Sequence, residues 1–144
     1  MANPRWIVVG TSFSERAQHA LAYAIEVAAR TGARIALVHA YEDSIDPPVD
    51  VAPGLRSRLE AAIERSGAAR LGVHVEPVLR RGAPWDKLRN VATDLGADLL
   101  VIGASDRHDL AADALTTRAI ASAARSVLVI AMHDPPCHDA RPRP

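Results

Sequence analysis

The chain has one cysteine in 144 residues, Cys137, so no disulfide can form within it. Cysteine usage therefore gives no sign of an oxidising compartment. Aromatic residues make up only 3% of the sequence, which leaves Ala, Val, Leu and Ile to fill the interior. An excess of either charge is also missing: Lys and Arg total 17, Asp and Glu total 17, and the formal net charge is zero. Nucleic-acid binders usually carry a basic excess, so that class is disfavoured. Balanced charge also implies modest solubility near neutral pH. No stretch of about 18 apolar residues occurs, so no membrane span or membrane partner is expected. The apolar run that follows Met1-Ala2-Asn3-Pro4-Arg5 is too short for a signal-peptide core, and the cytoplasm is the expected location.

Motifs for common chemistries are missing too. No G-x-G-x-x-G follows the first apolar run, and no Walker pattern ends in Gly-Lys-Ser/Thr. There is no G-x-S-x-G elbow and no H-E-x-x-H helix. His19, His39, His74, His108, His133 and His138 lack ligand-like spacing. His133, Cys137 and His138 lie in a Pro- and Arg-rich end with no fourth ligand, so a flexible tail is favoured and no metal site is assigned. His39 reads as a hydrogen-bonded core histidine, because no partner acid or nucleophile is identifiable. Arg80-Arg81 beside Gly82 reads as a solvated charged turn. No catalytic residue is assigned.

What is there is alternation. Residues 6–11 form a short apolar run ending Gly10-Thr11, and Ser12-x-x-Glu15 has the form of a capping box. Ala17, Ala20, Leu21, Ala24 and Ala28 recur at helical spacing up to Gly32. Residues 33–40 read as a second strand, and residues 42–54, acidic with Pro47, Pro48 and Pro53, as a loop. Leu55, Leu59, Ala62 and Ile63 mark a second helix, and 67–72 a turn. Residues 73–79 alternate and contain Pro77, which reads as an edge strand. Pro84 opens a third helix carrying Trp85, Leu88, Ala92 and Leu95. The run 98–103 ends at Gly103, a fourth helix carries Leu115, Ala119, Ile120 and Ala123, and 126–131 is the last strand. Unbroken Leu, Val and Ile runs suit strands covered on both faces. The order βαβαβαβαβ predicts an α/β fold with a doubly wound parallel sheet and right-handed crossovers. One domain is expected over residues 1–132, with a disordered tail over 133–144. In such sheets ligands bind beyond the carboxyl ends of the strands, so the functional question is whether the segment after Gly103 can hold an anion.

These pieces together resemble the universal stress protein family. The resemblance rests on 7–15 (Ile-Val-Val-Gly-Thr-Ser-Phe-Ser-Glu), on Gly82-Ala83-Pro84, on 97–103 (Ala-Asp-Leu-Leu-Val-Ile-Gly) and on 126–130 (Ser-Val-Leu-Val-Ile), and it covers about residues 5–131. It implies a five-stranded parallel sheet of order 3-2-1-4-5 with helices on both faces and a role in stress tolerance. One branch of that family binds ATP through G-x-x-G, nine residues, then G-[S/T], with an aspartate just after the first strand. Glycines there let the backbone approach phosphates, and exposed N–H groups stabilise the charge.

This chain departs from that pattern. Gly103 matches the first glycine, Asp106 replaces the second, and Thr116-Thr117 falls at the Gly-Ser position. An alternative register with a deletion puts Asp113-Ala114 there. Ser12 stands where the family's aspartate would be. Asp106, Asp109 and Asp113 face one arginine, Arg107, in the segment. A carboxylate about 4 Å from a phosphate charge costs up to roughly 4 kcal/mol at an effective dielectric of 20, against about −8 kcal/mol for a micromolar complex.

Three readings follow. In the first, the chain is a stress-response module that does not depend on ATP, acting as a homodimer or with protein partners. Val127, Leu128, Val129 and Ile130 then form the pairing edge implied by the resemblance, and no cofactor is expected. In the second, ATP with Mg²⁺, or AMP, binds a remodelled pocket at the family positions Gly10, Thr11, Ser12, Ala40, Ile102, Gly103, Asp106, Thr116 and Thr117, with Mg²⁺ bridging carboxylates and phosphates. In the third, the chain is an enzyme of the wider adenine-nucleotide α/β group. That reading is disfavoured because no general base stands beside a nucleophile or metal partner, although weak ATP hydrolysis stays open.

Overall fold

The computed structural model describes residues 5–42, 51–105 and 126–132. Strand β1 (Trp6–Gly10) leads into α1 (Glu15–Thr31), and β2 (Arg34–Tyr41) precedes α2 (Ala52–Ser66). A short 3-10 helix (Ala68–Leu71) joins α2 to β3 (Val75–Arg81). Then come α3 (Pro84–Leu95), β4 (Leu99–Ser105) and β5 (Ser126–Met132). All pairings are parallel, and the sheet order is β3-β2-β1-β4-β5. The order reverses between β1 and β4, which makes the carboxyl ends of these strands the crevice of the fold.

Alternation along each strand feeds two cores. Ile7, Val9, Ile35, Leu37 and Val101 face α1 and α2 and pack with Leu21, Ile25 and Leu59. Val8, Ala36, Val38, Leu100 and Ile102 face the other way, onto Trp85, Leu88 and Val91 of α3. Helices therefore lie on both faces of the sheet. Each large side chain buried in this way contributes about 1.5–3 kcal/mol of transfer free energy. The buried face of α1 is mostly alanine: Ala17, Ala20, Ala24 and Ala28 flank Leu21 and Ile25. Small side chains let this helix lie close to the strands beneath it.

Backbone hydrogen bonds explain how Pro77 is accommodated. Ile35 N–H donates to the His74 carbonyl at 2.9 Å, and Gly82 N–H donates to the Tyr41 carbonyl at 2.8 Å. Even-numbered residues of β3 therefore point their polar groups at β2, and odd-numbered ones point them outward. Pro77, opposite Leu37 in register, has its missing donor on the free edge, where no ladder bond is lost.

Several sequence expectations need correction. The cap of α1 is Ser14, not Ser12: the Ser14 hydroxyl accepts from Ala17 N–H at 3.1 Å, and Glu15 is the first helical residue. Strand β4 does not stop at Gly103 but continues to Ser105, with Gly103 paired to Ile130. Pro53 and Gly54, expected in a loop, lie in the first turn of α2, where proline loses no helical hydrogen bond. The expected turn at 67–72 holds the 3-10 helix. The expected fourth helix, with Leu115, Ala119, Ile120 and Ala123, and the tail 133–144 lie outside the described residues, as do residues 43–50.

Candidate functional site

The turn after β1 is held by its own side chains. Thr11 N–H donates to the Val38 carbonyl at 2.9 Å and so extends the β1–β2 pairing past the strand. The Thr11 hydroxyl accepts from Phe13 N–H at 3.0 Å. The Ser12 hydroxyl donates to Ser14 Oγ at 3.0 Å, which ties it to the helix cap. Phe13 is left-handed, with φ of 65°, and is the one non-glycine residue with positive φ among those described. A bulky residue pays for that conformation and keeps it only when its surroundings hold it there.

Those surroundings are His39 and Arg58. The Phe13 and His39 rings lie 4.4 Å apart, centroid to centroid, tilted by 42°. The Arg58 guanidinium carbon stands 4.3 Å from the Phe13 centroid, a cation–π contact between α2 and the β1–α1 turn. His39 Nδ1 is 2.8 Å from the Thr11 carbonyl oxygen. A carbonyl can only accept, so Nδ1 carries the proton and Nε2 is the ring's other polar atom. His39 is thus hydrogen-bonded as expected, but it is half-buried at the end of β2 rather than enclosed in the core.

The family positions divide between the two faces of the sheet. A methyl group on Gly10 would stand 3.0 Å from a Leu88 methyl and 3.6 Å from Ile102 Cγ2, so Gly10 and Ile102 are neighbours under α3. Gly103 faces the opposite side, where a methyl would stand 2.7 Å from the Arg16 carbonyl oxygen and 3.3 Å from Ala17 N. Its lack of a side chain is therefore already required by the close approach of α1. Thr11 and Ser12 lie in the turn, and Ala40 pairs with Arg80 near the end of β2. Asp106, Thr116 and Thr117 lie outside the described residues. Val127, Leu128, Val129 and Ile130 lie in β5, at one edge of the sheet.

Sequence reasoning singled out His39 but missed Phe13 and Arg58. An aromatic residue in a chain with so few was the available signal, placed where a strand meets a helix cap. Its backbone conformation, set by contacts with β2 and α2, left no mark in the local pattern. Among the described residues no group of three or more His, Cys, Asp or Glu could hold a metal ion. No described helix is long and apolar enough to cross a membrane.

These features define a doubly wound α/β protein with its crevice at the carboxyl ends of β1 and β4. The family model of the universal stress protein family matches residues 4–131, and the chain belongs to that family. A universal stress protein family member from Burkholderia pseudomallei is similar at 27% identity, with a TM-score of 0.67 over 88% of this chain and 95% of that one. A universal stress protein solved in complex with cAMP is also 27% identical, with a TM-score of 0.74 over 90% of this chain and 98% of that one. The Archaeoglobus fulgidus universal stress protein in complex with dAMP shares the fold at 22% identity, with a TM-score of 0.70 over 90% and 99%. No protein of curated function matches this chain in sequence.

Proposed function

We propose that this chain is a cytoplasmic stress-response module that works without ATP, as a homodimer or through protein partners, and not as an enzyme. One observation carries the reading. Both hydroxyls of the turn after β1 serve local structure, Thr11 holding the Phe13 backbone and Ser12 the Ser14 cap. Ser12 stands where the resemblance expects an aspartate, so the turn offers no carboxylate there to the polar groups of a nucleotide. In the segment after β4, acids and branched residues replace the glycines that would cradle phosphates.

The two edges of the sheet support the assembly part of the reading. Strand β3 carries Pro77, Glu76, Arg80 and Arg81, which discourage addition of another strand. Strand β5 has neither proline nor charge in Ser-Val-Leu-Val-Ile-Ala-Met, and pairs with β4 alone among the described residues. An edge of that composition calls for a cover, which a second copy would supply through Val127 to Ile130.

A second reading, adenine-nucleotide binding, is favoured by the 27% identical relative solved with cAMP. A cyclic monophosphate has no triphosphate tail, so Asp106 and Thr116 would weigh less against it than against ATP. Native mass spectrometry of the full chain, with and without Mg-ATP or cAMP, separates the readings. The first expects the bare mass of the chain or of its dimer, without nucleotide, under all conditions. A saturable nucleotide adduct at micromolar concentration would replace it with the second.

A further inference from the structure

We propose that the outer face of α1 docks against α1 of a second copy of this chain, the two helices antiparallel about a two-fold axis between Ala22 and Tyr23. This goes beyond the reading above, which places assembly at the β5 edge. Glu15, His19, Ala22, Tyr23, Glu26 and Arg30 are all exposed. At about 100° per residue they share one stripe about 100° wide along the helix. The buried face of α1 rests on the sheet, so this stripe points away from β1, β4 and β5. Tyr23 is 42% exposed, one of three large apolar side chains left open among the described residues. Tyrosine offers an apolar ring with a polar tip, the composition that interfaces favour.

The order of charges along the stripe selects the occupant. A two-fold interface sets a surface against itself, so every contact occurs twice. With the axis between Ala22 and Tyr23, Glu15 meets the partner's Arg30, His19 meets the partner's Glu26, and the Tyr23 ring covers the partner's Ala22. Each acid thus faces a base or an imidazole N–H that donates to it, and the one aromatic ring faces a small side chain that lets the helices approach. Glu26 and Arg30 stand at the spacing of an ion pair within one helix. Neither they nor Glu15 and His19 make an ion pair among the described residues, so all four remain available to a partner. Six residues a side fall short of the roughly 20–30 of a standard interface, which puts this contact with the weak, transient ones.

Amide NMR of the isotope-labelled full-length chain over a dilution series reads the contact residue by residue. The expected result is a concentration-dependent shift along the outer face of α1, with a Kd of about 1 mM or tighter. Arg30→Glu sets a carboxylate against the partner's Glu15, and Glu15→Arg sets a guanidinium against the partner's Arg30. Each variant alone should associate about tenfold more weakly. An equimolar mixture of the two restores opposite charges at both ends and should recover the natural affinity, which a variant that had merely lost its fold would not do. No shift along α1 up to that concentration, unchanged affinity in both variants, or a mixture as weak as its components would overturn the proposal. Association through β5 would instead move the signals of residues 126–132 and be indifferent to Arg30→Glu, so the two interfaces fail separately.

Discussion

Gly103 and Arg16 meet so closely that a methyl group added to the glycine would stand 2.7 Å from the arginine's carbonyl oxygen. The obstacle is backbone in the first turn of α1, which cannot swing aside. The φ of Gly103 is not positive, so sterics alone decide the outcome. Gly103→Ala should destabilise by about 2 kcal/mol, in the range of overpacked cores. At Gly10 the obstacle is a Leu88 methyl at 3.0 Å, the far end of a side chain that can yield. Gly10→Ala should therefore change stability by less than about 1 kcal/mol. Urea unfolding of the two variants checks the difference, and equal losses would show that close approach is not what Gly103 provides.

The cap of α1 gives a second contrast. Ser14→Ala removes the acceptor for Ala17 N–H and should cost about 1 kcal/mol. Ser12→Ala removes only an exposed hydroxyl contact and should stay within about 0.5 kcal/mol. Thermal unfolding ranks the pair. The reverse ranking would restore the capping box expected at Ser12.

At Phe13 the usual order of alanine and glycine should invert. Glycine in ordinary backbone is less stable than alanine by about 0.5–1 kcal/mol. A left-handed residue with a Cβ costs roughly 1–2 kcal/mol. Both Phe13→Ala and Phe13→Gly lose the ring's contacts with His39 and Arg58, so the difference between them isolates the backbone. Denaturation midpoints should place Phe13→Gly level with Phe13→Ala or above it.

Legibility in the sequence followed how local each cause is. The runs of β1, β2 and β4 read as buried strands because helices cover both faces, and Pro77 read as an edge residue because its missing donor needs a free edge. Gly32 read as the end of a helix and does adopt a left-handed cap. Ser12 misled because two serines compete for one cap, and the spacing to Glu15 favoured the wrong one. Pro53 and Gly54 look like a loop, yet a first helical turn tolerates both. The site was the least legible part. Phe13 is held by residues 26 and more positions away in sequence, and the role of Gly103 depends on the path of α1 above it.

Pro77 tests the account of the edges. Its nitrogen faces outward, so Pro77→Thr breaks no ladder bond and should change stability by less than about 1 kcal/mol. It restores a donor to the free edge of β3. Size-exclusion chromatography with light scattering should show species larger than wild type at high concentration. An unchanged distribution would mean that the charges of β3 protect the edge unaided.

The central claim is that the family's phosphate segment no longer serves ATP in this chain. Isothermal titration of the full-length protein with Mg-ATP tests it most directly, beside a variant carrying Asp106→Gly and Thr116→Gly. The account predicts no measurable heat of binding for the natural sequence and a gain of binding in the variant. Micromolar binding of Mg-ATP to the natural sequence would contradict it.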